Sequence, residues 1–158
     1  MRMCLSRIFA GGLAGIAATH LMDGIGEILY RHWMSESDRN RERAVEPKFP
    51  LVVLGERIAA TTGGTSESGE KIATMLHWGI GFVCGALYAA VDMRAPLQGA
   101  LAAQPIAMGM LAIDEFGFYA TGLAPPPGAF PKSTHVRAFL AHVTYGASLA
   151  VIYKGMTV

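Results

Sequence analysis

Four stretches of this chain run for roughly 20 residues each with few charged side chains: about Leu5–Tyr30, Ile72–Val91, Leu97–Tyr119 and His135–Tyr153. A helix of that length crosses the ~30 Å hydrocarbon core of a bilayer. In lipid every backbone N–H and C=O needs an internal partner, so apolar runs of this kind must be helical. The expected fold class is therefore all-α, an integral membrane bundle of four transmembrane helices, with residues 1–158 forming a single domain. Composition agrees: charged residues make up 16% of the chain, against about 25% in soluble domains.

The net charge of +1 arises from 13 Lys and Arg against 12 Asp and Glu without a long run of one sign, which argues against a nucleic-acid partner. Cys4 and Cys84 fit neither a disulfide framework nor a CxxC metal pair and read as small packing residues. The first apolar run is longer than a signal-peptide core and is followed by further spans, so it is expected to stay in the mature protein. No Ser/His/Asp triad, phosphate-binding loop or dinucleotide glycine pattern is present, and the reading leans away from an enzyme.

Two connections are long. The first opens with the mixed-charge run from Ser35 to Arg43, expected to be solvated, and contains Pro50–Ala60. With proline near its first turn, that segment reads as a short interfacial helix ended by Thr61-Thr62-Gly63-Gly64. The second, Gly122–Pro131, is too rich in proline to be helical and reads as a stiff re-entrant or interfacial loop. Asp92–Pro96 makes a tight link, so the second and third spans are antiparallel neighbours, and Pro105 is expected to bend the third. Tyr30, Trp33 and Tyr119 read as interface anchors, and Met108 and Met110 as apolar filler.

Gly11 and Gly15 form a GxxxG in the first span, and Gly81 and Gly85 form another in the second. Small residues let helices approach closely in lipid, and packing within the chain is favoured over dimerisation. Depth and direction together place the ionisable residues in one layer. The first and third spans run toward the long connections, carrying His20, Asp23, Glu27, Asp114 and Glu115. The second and fourth start there, carrying His77, His135 and His142. His20 with Asp23, and Asp23 with Glu27, stand at the spacings where side chains meet along a helix.

Ionisable groups in a span are costly and tend to face the interior in pairs. Three chemistries fit the layer: a proton or solute path, a divalent metal, and a bis-histidine haem, with His77 and His142 as the metal or haem candidates. The same residues also serve simply to fix helix register. No HExxH or ExxH pattern is present, and no cofactor is the leading expectation. Expected partners are the lipid bilayer and either other membrane subunits or further copies of the chain, as for an accessory subunit of a larger complex.

The second span's His77-Trp78-x-x-Gly81-x-x-x-Gly85-x-x-Tyr88, the loop Gly122-Leu123-Ala124-Pro125-Pro126 and the pair Ala141-His142 resemble the YagU-like bacterial inner-membrane proteins, a family of unknown function. The segment from Pro50 to Ala60 is similar as well, while Asp114 stands where that group has a histidine. The resemblance implies a multi-pass protein of the bacterial inner membrane with both termini in the cytoplasm. Lys and Arg counts point the other way, with nine flanking the long connections and four on the opposite side.

Overall fold

The computed structural model describes residues 2–94 and 98–157, and every regular element among them is helical. Ala95, Pro96 and Leu97, assigned above to the tight link and the start of a span, lie outside the described residues, as does the side chain of Cys4. In chain order the helices are α1 (Arg2–His32), α2 (Glu36–Val45), α3 (Pro50–Thr61), α4 (Ser66–Asp92), α5 (Gln104–Ala112), α6 (Phe118–Ala120) and α7 (Lys132–Thr157). A widened π-helical turn, Ile113–Gly117, joins α5 to α6. Three helices are long and apolar enough to cross a membrane: Leu5–His32, Ser66–Asp92 and Lys132–Thr157.

The fourth expected span is helical only from Gln104 to Ala120 and is not among those three. Residues 98–103 form turns, with Gly99 at φ +82°. Pro105 then sits in the first helical turn, where a missing N–H leaves no bond unmade. The bend expected there is absent for that reason. The distortion falls instead at the π turn, where the Phe118 N–H bonds the Ile113 carbonyl across five residues.

α1 is the central helix, packed along both α4 and α7, with α5 against α7. Gly11 and Gly15 lie directly on Gly81 and Gly85, so a Cβ at any of them would overlap the backbone or side chains of the facing helix. Thr19 continues this seam against Gly81, and its hydroxyl donates to the Gly15 carbonyl at 3.0 Å. Tyr145 of α7 donates to the Gly81 carbonyl at 3.1 Å and ties the third long helix to the crossing. The core between them is built mainly of alanines and three buried tyrosines, Tyr88, Tyr145 and Tyr153. Leu13, Leu21, Val83, Leu87 and Val151 point outward, as lipid-facing residues do.

The connections are more ordered than their composition suggests. Arg39 donates to the carbonyls of Tyr30, Arg31 and Met34, so it closes the C-terminal end of α1. Ser35 caps α2, accepting from the Asp38 N–H at 3.1 Å. The charged run is therefore not simply solvated. Asp38 and Glu42, one turn apart, accept from Ser133 and Thr134 at the start of α7, and Glu42 also pairs with Arg137 at 2.7 Å. α3 ends where expected, with the Gly64 N–H on Ala59 and the Gly63 N–H on Ala60, a Schellman closure at Gly63 φ +70°. It packs across the first turns of α4 through Gly55 on Gly69.

One pair departs from the gathering of charge at one face. Asp92, 6% exposed, takes an ion pair from Lys154 at 2.7 Å, at the end of the bundle opposite the long connections. Tyr88 and Tyr153 meet edge to face nearby, with centroids 5.4 Å apart.

Candidate functional site

A cavity of about 330 Å³ opens between α1, α4, the π turn and α7 on the side of the long connections. Six of the residues expected in the polar layer line it: Asp23, Glu27, His77, Asp114, Glu115 and His142. His135 lines it too. His20 does not. At that depth α4 runs alongside α1, and its successive residues His77 and Trp78 point about 100° apart. Asp23 meets His77 on the cavity side, while the exposed His20 stacks on Trp78 at 6.2 Å on the other.

Asp23 pairs between helices and neither with His20 nor with Glu27, as the spacing along α1 suggested, while Glu27 pairs one turn on along α1. His77 Nε2–H donates to both oxygens of Asp23 at 2.9 and 3.2 Å, and Glu27 pairs with Arg31. The π turn explains how two adjacent acids both serve α7. An α-helix throws neighbours about 100° apart, and the widened turn takes Ile113–Gly117 out of that register. Asp114 reaches His142 at 3.2 Å, and Glu115 reaches His135 at 2.7 Å.

The two α7 histidines share a further feature. His142 donates Nδ1–H to the Ala138 carbonyl at 2.8 Å, and His135 donates Nε2–H to the Pro127 carbonyl at 3.1 Å. A carbonyl only accepts, so those nitrogens carry the proton, an assignment made from the bonding pattern. The other nitrogen of each ring faces a carboxylate, and two acceptors repel unless a proton lies on one of them. Each pair is complete only when it holds one proton beyond a neutral imidazole and an ionised acid. For His142 the 3.2 Å approach is within ion-pair range but not in line for a hydrogen bond, which leaves Nε2 buried without a hydrogen-bond partner among the described residues.

Several site residues escaped the sequence reading. Glu46, on the connection after α2, lines the cavity and makes no ion pair with any of the described residues. Burial first and the nearby Glu42 second push its pKa up to about 7, with Arg137 opposing and Asp114 adding to the rise. Arg137 also lines the cavity, bonded to Glu42 and lying 5.4 Å over the ring of Tyr30, while its Nε is buried without a partner among the described residues. The signal for it was the stripe Thr134, Arg137, Ala141, spaced as one helix face. Tyr30, expected as a membrane anchor, takes this stacking and a hydrogen bond from Arg43 at 2.8 Å. Met110 lines the cavity and is more than filler.

The roof comes from the two connections. Phe49, Pro50 and Leu51 at the start of α3 line the cavity together with Pro125, Pro127 and Phe130 of the second loop. Arg57 donates to the Gly122 carbonyl at 2.9 Å and Arg41 to the Ala129 carbonyl at 3.2 Å, so the roof is stitched from both sides. Among the described residues, no three of His, Cys, Asp and Glu form a set that could hold a metal ion, and the candidate ligands His77 and His142 each face a carboxylate. No family model, no curated protein and no solved structure matches this chain.

Proposed function

We propose that this chain is a small multi-pass protein of the bacterial inner membrane that takes up protons, together with a small solute, in the cavity beneath its long connections. One observation carries the reading: His135 and His142 each stand between a carbonyl and a carboxylate, in contacts that are attractive only when the pair holds an extra proton. Groups that exchange a proton at a cavity wall are the chemistry of a relay, whereas groups that only fix register need no cavity. A volume of about 330 Å³ falls at the small end of ligand pockets.

On this reading Gln104–Ala120 acts as the fourth span. Its seventeen residues rise about 26 Å, close to the hydrocarbon thickness, and Ile113 and Phe116 face outward. α3 lies at the interface as part of the roof. The YagU-like resemblance supports cytoplasmic termini, which puts the cavity on the opposite side.

Proton flux into liposomes tests this. Vesicles carrying the protein and an internal pH-sensitive dye are given an acid exterior, with valinomycin and potassium to clamp the potential. Wild type should acidify the interior several times faster than empty vesicles, and the D114N/H142Q double variant should not. Equal rates for wild type and empty vesicles remove the proton reading and leave an accessory subunit, which mild solubilisation would recover with its partner.

A further inference from the structure

The lining of the cavity is unequal in charge. Five carboxylates face it, from Asp23, Glu27, Glu46, Asp114 and Glu115, against one guanidinium and three imidazoles, so the lining is negative while the imidazoles are neutral. The guanidinium of Arg137 is already engaged by Glu42 and the Tyr30 ring. Two acceptors remain open among the described residues: the Glu46 carboxylate, and Nε2 of His142, a residue 4% exposed whose Nδ1–H is committed elsewhere. Around them the walls are apolar and aromatic, with Met22, Ile80 and Met110 below and Phe49, Phe118 and Phe130 nearer the roof.

We propose that the solute is a primary organic ammonium ion with an apolar body, its N–H donors met by Glu46, Asp114 and, once the extra proton has left that pair, His142 Nε2, and its body held among the phenylalanines. This rests on the cavity reading above and names its ligand. The size fits: at about 30 Å³ per water-sized unit, the cavity holds on the order of ten non-hydrogen atoms. The chemistry fits as well. An ammonium brings three donors and no acceptor to a lining rich in acceptors, and aromatic faces attract a cation within about 6 Å. A carboxylate of the same size would meet a lining with more acids than bases.

Thermal unfolding of the whole protein in mild detergent tests the class with three probes of matched size: 2-phenylethylammonium, 2-phenylethanol and phenylacetate. The ammonium should stabilise saturably and the other two should not. At pH 8, where Glu46 is ionised, E46Q, an isosteric change on a half-buried connection, should unfold no lower than wild type without ligand and weaken the ammonium by about tenfold, as for one charge-assisted hydrogen bond. Stabilisation by the alcohol or the carboxylate equal to that by the ammonium overturns the inference, as does the absence of any shift or an unchanged ammonium affinity in E46Q. A protein that passes protons in liposomes but shows no ammonium preference fails here and keeps the proton reading. One that binds ammonium selectively without proton flux does the reverse.

Discussion

His142 Nε2 stands 3.2 Å from the Asp114 carboxylate, while the opposite nitrogen of the same ring is bonded to its own helix at Ala138. The ring is thus fixed in orientation by α7, and its free nitrogen is presented to an acid on another helix. Removing either partner has a distinct consequence. H142A leaves a small void and an acid without its imidazole, and should lower stability in detergent by about 1–3 kcal/mol. D114N retains the shape and turns the acid into an amide that can donate to Nε2, so it should cost less. A larger loss in D114N than in H142A, measured by thermal unfolding, would show that the two do not act as a pair.

The glycine seam offers a sharper contrast. Gly15 and Gly81 meet across α1 and α4, whereas a Cβ at Gly24 would touch nothing within 4 Å. G15V should destabilise the protein by about 1–3 kcal/mol or prevent assembly, because backbone atoms on the facing helix cannot give way. G24A should be neutral or gain up to ~1 kcal/mol from helix propensity. Comparable losses in both, read from folded yield and unfolding temperature, would place the α1–α4 crossing elsewhere.

Glu46 gives stability a pH dependence with a definite sign. Its pKa is raised from 4.5 to about 7 in the folded protein, so between those values the folded state binds more protons than the unfolded state. The contribution is present below pH 4.5 and is lost as pH rises to about 7. Because the residue is half exposed, solvent screening reduces it to on the order of 1 kcal/mol. E46Q should flatten that part of the stability profile and be more stable than wild type at pH 8. A wild-type slope that E46Q leaves unchanged would show that Glu46 does not set it.

Docking of α2 on α7 depends on Glu42, which holds both Arg137 and Thr134. E42A should free α2 and speed hydrogen exchange across residues 36–45, while E36A, on the first turn and away from α7, should leave exchange nearly unchanged. E42A should also strip Arg137 of its partner at the cavity wall. Protection equal to wild type in E42A would mean that Asp38 and Ser133 alone hold the contact.

Three of the four apolar runs determined long helices, α1, α4 and α7, because lipid leaves the backbone no other way to satisfy its hydrogen bonds, while the fourth is helical only from Gln104. The ends of α3, with Pro50 in its first turn and Gly63 beyond its last, were legible for an equally local reason: a fixed φ opens a helix and a positive φ closes it. Depth along each span, a matter of counting residues, was enough to bring Asp23, His77, Asp114, Glu115 and His142 to one layer. Direction around each helix was a different matter. Counting 100° steps put His20 with Asp23 and Glu27, but only the α1–α4 crossing decided which side of that face is cavity and which is exterior. The π turn that aims two adjacent acids at α7, the Arg39 closure of α1, and the docking that brings Glu46 and Arg137 to the cavity all depend on contacts between segments distant in sequence. Periodicity reports how a residue faces its own helix, and only packing fixes what stands on the other side.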